Sequence, residues 1–248
     1  MKRYESKRVV IIGGTSGMGL ATAKMLLDGG ARVLVTGRSA PGLESAQREL
    51  GAGATVVSSD ARSLTDIDTL AARVKAEFDT FDLLFVNAGF SIPTPLGSVT
   101  EDVYDEMFNL NAKGPFFAVQ KLAPLINRGG SVVFTTSVAN VKGLAGQATY
   151  GAAKAALRSF TRVLAAELLP QEIRVNAVSP GPIDTGILQK VFPTEEMRTH
   201  VRGHTLGIIP MKRFGTSEEI AKAVLLLAFD ATFTTGLEIP VDGGWSQL

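Results

Sequence analysis

Short apolar runs alternate with stretches of helical spacing along the whole chain. Arg8-Val9-Val10-Ile11-Ile12 reads as a buried strand, and apolar positions then recur at helical spacing from Met18 to Leu27 until Asp28-Gly29-Gly30 stops them. The alternation repeats: strand Arg32 to Thr36, helix from about Pro41 to Leu50, strand Ala54 to Ser58, helix Asp66 to Phe78, strand Asp82 to Val86. A helical stretch capped by Thr100 runs on through Asn111 to Val119. Strand Ser131 to Thr136, helix Gly151 to Leu169, strand Ile173 to Val178, helix Ser217 to Ala228 and strand Leu237 to Val241 complete the series. Residues 183–212 have weak periodicity, with a short helix near Thr194 to Arg202, and suit a substrate lid. This alternation predicts one α/β domain over residues 1–248, a doubly wound parallel sheet with helices on both faces.

The first strand feeds Gly13-Gly14-Thr15-Ser16-Gly17-Met18-Gly19 and then a helix. Glycines allow the backbone to approach a pyrophosphate closely, and free N–H groups with the helix dipole face the anion. The spacing is Gly-x-x-x-Gly-x-Gly, and a helix start after any tight turn would look similar. At the end of the second strand an acid would hold the ribose 2′-hydroxyl of NAD. Gly37 stands there instead, with Arg38 beside it, and an Arg can pair with a 2′-phosphate. NADP is therefore expected and NAD less so, unless Arg38 is a solvated loop residue. Asp60 and Asn87 sit at strand ends, where an open parallel sheet binds its ligand, although both types also form ordinary turns. Asn111 is unfavourable inside a helix and could mark a kink with a bound water, although taken alone it reads as an ordinary helical residue.

Ser137 closes an apolar strand, while Tyr150 and Lys154 stand four apart on one helical face. A phenol with a pKa of about 10 is a sluggish base at neutral pH. A lysine ammonium and the positive helix end both favour the phenolate. Lowering its pKa by roughly 2–3 units takes about 3–4 kcal/mol. Tyr150 could then exchange a proton with a substrate oxygen that Ser137 holds. A solvated Tyr–Lys pair beside a structural serine is the alternative.

Composition narrows the field. The formal charge of +1 gives no electrostatic case for nucleic acid or an anionic membrane. No apolar run is long enough to span a bilayer, and the polar start before Arg8 is no signal peptide. The absence of cysteine removes disulfides and thiol chemistry and fits a cytoplasmic protein. Two histidines, His200 and His204, make a metal centre unexpected.

Taken together, Gly13/Gly17/Gly19, Asp60, Asn87-Ala88-Gly89, Asn111, Ser137, Tyr150, Lys154, Pro180-Gly181 and Val241-Asp242-Gly243-Gly244 resemble the short-chain dehydrogenase/reductase family over essentially the whole chain. The resemblance implies a Rossmann-type sheet of about seven strands and a homotetramer. It implies that Tyr150 is the acid/base, that Ser137 orients the substrate oxygen, and that Lys154 binds the nicotinamide ribose and lowers the Tyr150 pKa. Asn111 would hold a water in a proton relay. Thr15, Ser16, Met18, Arg38, Ser39, Asp60, Ala61, Asn87, Ala88, Gly89, Pro180, Gly181, Ile183 and Thr185 would line the cofactor, with Tyr150 and Lys154. Ile12 and Val86 depart from the family pattern at positions that do no chemistry.

Phe90, Ile92, Val138, Asn140, Leu144, Gln147, Ile187 and Leu188 are expected near the substrate. None is basic, so an apolar ketone or secondary alcohol fits best. A 3-oxoacyl-thioester reductase is the runner-up. It would need a basic surface for an acidic carrier, for which Arg128, Arg158 and Arg162 are scattered candidates. A nicotinamide-binding regulator without turnover is the rival from another class. Part of the Gly151–Leu169 helix, through Ala155, Ala156, Leu157, Phe160 and Leu164, could bury against another subunit or under a neighbouring helix. Trp245 could pack at an interface or reach the substrate mouth.

Overall fold

A computed structural model describes residues 2–186 and 193–248. In chain order the first half comprises β1 (Arg8–Ile12), α1 (Gly17–Asp28), β2 (Arg32–Gly37), α2 (Ala40–Leu50), β3 (Ala54–Ser58), α3 (Leu64–Phe78), β4 (Phe81–Val86), α4 (Glu101–Phe108) and α5 (Gly114–Leu122). The second half comprises β5 (Ile126–Thr135), α6 (Ala148–Leu168), β6 (Arg174–Pro180), β7 (Ile183–Asp184), α7 (Glu195–Ile208), β8 (Gly215–Thr216), α8 (Ser217–Leu225) and β9 (Glu238–Val241). Seven parallel strands form one sheet in the order β3-β2-β1-β4-β5-β6-β9, so the order reverses between β1 and β4. Ligands bind at such a reversal, outside the carboxyl ends of the strands.

The period of two along each strand splits the core into two layers. Val10, Ile12, Leu34, Leu84, Val86 and Phe134 pack under α3, α5 and α6, through Ile67, Leu70, Leu122, Leu157 and Leu164. Val9, Ile11, Val33, Val35, Leu83 and Phe85 pack under α1, α2 and α8, through Ala23, Leu26, Leu50, Ile220 and Val224. Both faces are covered, which is why the strands read as near-continuous apolar runs. Phe160 of α6 meets Phe116 of α5 at 5.2 Å between ring centroids, so this part of α6 buries within its own chain. Among the described residues no helix is long and apolar enough to cross a membrane.

The stretch expected as one helix through Asn111 is broken. Between α4 and α5 the backbone widens into a π-turn at Asn109–Lys113, a feature common at functional sites. The helix expected near Thr194 to Arg202 runs on to Ile208. β7 and β8, which no periodicity announced, pair beside the main sheet.

Arg174 ties the last helix to the sheet. Its guanidinium donates to the carbonyls of Leu227 and Ala228, both at 2.6 Å, and of Ala231 at 3.1 Å, where α8 ends in a second π-turn. A cation at a helix C-terminus satisfies orphan carbonyls and opposes the dipole. Arg174→Met is expected to lower stability by about 2–4 kcal/mol, because the carbonyls lose their partner. A denaturant midpoint close to that of the wild type would contradict this.

Candidate active site

The turn after β1 is built by backbone. Gly13 and Gly17 have φ of +82° and +52°, a region that side-chain-bearing residues avoid. Asn87, at the end of β4, braces the turn by donating from Nδ2 to the Gly13 carbonyl at 2.8 Å, and its Oδ1 accepts from Thr135 Oγ1 at 3.0 Å. The two departures from the family pattern cost nothing visible. The Ile12 carbonyl accepts from the N–H groups of Asn87 and Ala88, and Thr36 Oγ1 receives the Gly13 N–H.

A cavity of about 490 Å³ opens beside this turn, lined in part by Gly13, Thr15, Ser16, Arg38, Ser39 and Ala61. A Cβ on Gly37 would stand 2.6 Å from the Thr15 side chain, so an acid cannot be accommodated there without displacing Thr15. Asp60 is already engaged. Arg62 holds its carboxylate at 2.6 Å and depresses its pKa, while the half-exposed Arg38 lies 3.8 Å from it. Phe90, expected near the substrate, lines this cavity and not the one that contains Ser137, Tyr150 and Lys154.

The second cavity, about 420 Å³, shares Asn87 and Gly89 with the first and contains Ser137, Tyr150 and Lys154. Ser137, just past β5, opens a tight turn over Val138–Asn140, and its Oγ accepts from the Ala139 N–H at 3.2 Å. That leaves the hydroxyl proton free to donate, and Ser137 bonds the Tyr150 phenol. Tyr150 and Lys154 stand one turn apart at the start of α6. Lys154 Nζ donates to the Thr135 carbonyl at 2.7 Å and lies 5.7 Å from the Tyr150 ring centroid.

The electrostatics differ from expectation. Burial raises the Tyr150 pKa, and the hydrogen bond with Ser137 only partly opposes this, although the residue keeps some exposure through the cavity. Burial brings Lys154 down to about 7. A lysine that is charged only part of the time pulls weakly toward the phenolate, and burial of the phenol outweighs that pull.

Asn111 sits in the π-turn, fully buried. Its Nδ2 donates to the Met107 and Phe90 carbonyls at 3.0 and 3.1 Å, and its Oδ1 has no partner. Asn111 Oδ1 and Lys154 Nζ both face Gly89, where a Cβ would lie 2.8 Å from the first and 3.1 Å from the second. An orphaned buried acceptor beside a buried amine is a fitting station for a water that passes protons.

Of the residues expected to line the cofactor, Met18, Pro180, Gly181, Ile183 and Thr185 also border the catalytic cavity. Of those expected near the substrate, Val138, Leu144 and Gln147 line it. Asn140 does not: its amide turns away to Glu238, because the tight turn after Ser137 points its third residue outward. Ile92 is not among the lining residues, and Ile187 and Leu188 lie outside the described residues. The pattern missed Thr205 and Ile208 of α7, which come from the loosely patterned stretch, and Phe214 just beyond it. Trp245 reaches the cavity, held by Lys142, whose Nζ donates to its carbonyl at 2.7 Å.

Fold and site together are those of an oxidoreductase that works with a dinucleotide. Residues 13–246 match the family described as enoyl-(acyl carrier protein) reductase. The chain is 36% identical to the oxidoreductase asL5 of Sarocladium schorii, with 100% of this chain and 99% of the relative covered. It is 35% identical to the 3-oxoacyl-(acyl-carrier-protein) reductase FabG of Thermotoga maritima, with 98% of each covered. Its fold matches the crystal structure of levodione reductase with a TM-score of 0.90 at 31% identity, over 98% of this chain and 99% of that one. The chain belongs to the short-chain dehydrogenase/reductase family, oxidoreductases acting on CH–OH or C=O groups with a nicotinamide dinucleotide.

Proposed function

We propose that this protein reduces apolar ketones, or oxidises the matching secondary alcohols, with NADP(H) and with Tyr150 as general acid/base. The observation that carries the reading is the meeting of Ser137, Tyr150 and Lys154 in a cavity walled by Met18, Val138, Leu144, Ile208, Phe214 and Trp245. Among the described residues lining it, Lys154 is the only charged one. A nicotinamide dinucleotide, which the Gly13–Ser16 turn, Arg38, Asn87 and Lys154 would hold, would supply a hydride to the carbonyl carbon. Ser137 donates a hydrogen bond to the carbonyl oxygen, and Tyr150 delivers the proton that this oxygen needs. Lys154, with a pKa of about 7, returns a proton to Tyr150 through a water that the free Asn111 Oδ1 would hold. A phenol whose pKa is raised keeps its proton at neutral pH, as a general acid for the reduction must.

The NADP preference rests on Gly37 and Arg38. Arg38→Ala is expected to raise the NADPH dissociation constant about 10–100-fold, the value of a lost charge-assisted hydrogen bond. NADH binding should stay within about three-fold, since the lost partner is the 2′-phosphate alone. Equal weakening for both cofactors in a fluorescence titration would remove Arg38 from the phosphate site. The proposal includes a homotetramer, supported by exposed apolar side chains at Val163 of α6 and at Leu226, Phe233 and Leu248. Residues 183–212 would act as the lid.

A second reading, reduction of 3-oxoacyl thioesters, is favoured by the names of several relatives, from Thermotoga maritima and Mycobacterium tuberculosis among others. Against it, two of the arginines considered for a carrier surface are engaged, Arg128 with Glu172 and Arg158 with Glu238. Competition between an aryl ketone and a 3-oxoacyl thioester, compared by kcat/KM, separates the readings. Preference for the thioester overturns the first.

A further inference from the structure

Glu238 opens β9 at the sheet edge, and its carboxylate is only 11% exposed, yet it touches neither cavity. Oε1 accepts from Thr136 Oγ1 and from Asn140 Nδ2, each at 2.5 Å. Oε2 lies 3.0 Å from Arg158 Nε. Thr136 and Asn140 flank Ser137 on either side. Arg158 stands four residues beyond Lys154, one turn along the helix that carries Tyr150.

One buried carboxylate therefore joins the Ser137 turn to the catalytic helix and anchors both to β9, whose backbone is registered against β6 through Ala177. Burying a charge is costly unless it is paired and hydrogen-bonded. The fold could fill an edge-strand position with an apolar side chain at no such cost. The turn is closed by bonds of its own, from Ala139 N to Ser137 Oγ, from Asn140 N to the Ser137 carbonyl and from Val141 N and Lys142 N to the Val138 carbonyl, and Thr136 N donates to the Val178 carbonyl. These bonds shape the turn locally; Glu238 adds a side-chain link from it to the helix that carries Tyr150.

We propose that Glu238 is a positioning residue that fixes Ser137 relative to Tyr150, an inference that rests on the acid/base reading of that pair. The test compares Glu238→Ala and Glu238→Gln with the wild type, using whichever carbonyl compound the wild type turns over best, so a change of preferred substrate leaves it intact. Glu238→Ala is expected to lower kcat about 10–100-fold, since misplacement by roughly 1 Å costs that much, while the NADPH dissociation constant and the KM stay within about three-fold. Glu238→Gln should recover part of kcat, because its amide oxygen still accepts from Thr136 and Asn140 while its NH2 cannot pair with Arg158. Hydrogen exchange supplies a readout free of turnover: the Ala139 and Asn140 amides should exchange faster in Glu238→Ala, with those in the middle of α6 unchanged. If Glu238→Ala does not fold, Asn140→Ala breaks the same tether and should show the same split between kcat and KM. A variant that loses thermal stability but keeps kcat within about two-fold would make Glu238 merely structural.

Discussion

Replacing Tyr150 by Phe lowers ketone reduction roughly 10²–10⁴-fold, the range expected for loss of a general acid. The substitution keeps the ring against which Lys154 Nζ lies at 5.7 Å, and it removes only the hydroxyl that Ser137 bonds. Ser137 is not expected to take over, because an aliphatic hydroxyl is a far poorer acid than a phenol. NADPH affinity, read by fluorescence titration, should change by no more than about three-fold, since the substitution leaves the Gly13–Ser16 turn, Arg38 and Lys154 in place. Near-normal turnover with unchanged cofactor binding would mean that another group delivers the proton.

The second large effect concerns Lys154, where function and stability pull apart. Lys154→Met should abolish measurable turnover and at the same time stabilise the ligand-free protein. Burial holds the Lys154 pKa at about 7, below that of the unfolded chain, so between those values the unfolded state binds more protons. Stability therefore rises with pH from about 7 toward the ordinary lysine range, and the full penalty is present below 7. Each pH unit that separates the folded from the unfolded pKa is worth about 1.4 kcal/mol. Against that gain, the variant leaves the Thr135 carbonyl without its donor, a loss of about 1–3 kcal/mol. The remaining stabilisation, on the order of 2 kcal/mol below pH 7, should shrink to nothing, or change sign, by about pH 10. Denaturant unfolding at several pH values checks it. A variant less stable than wild type at pH 6 would show that the amine is not held against its charge.

Much of this could be read from the order of residues. Strands buried on both faces give continuous apolar runs, so β1, β3 and β4 were legible nearly to the residue. The turn at Gly13–Gly19, Ser137 at a strand end and the Tyr150–Lys154 spacing are local patterns, and the structure brings them to one edge of one sheet. What stayed hidden depends on tertiary placement. Asn111 announced a disturbed helix, but not that the disturbance is a π-turn with an orphaned Oδ1 beside Lys154. Phe90 and Asn140 were expected as substrate contacts because they neighbour the site in the chain, yet one lines the cavity beside Gly13–Ser16 and the other donates to the part-buried Glu238. Ile208 reaches the cavity from a stretch with no strong period, and Phe214 from just beyond it. The lysine was expected to acidify the tyrosine, whereas desolvation outweighs that attraction and shifts both groups away from their charged forms.

The most direct measurement is oxidation of NADPH by the purified protein at neutral pH with a bulky apolar ketone, run in parallel with NADH and without ketone. The account predicts ketone-dependent oxidation, faster with NADPH, and accumulation of the matching alcohol. Tight NADPH binding without oxidation of any ketone would contradict it and leave a nicotinamide-binding protein without turnover.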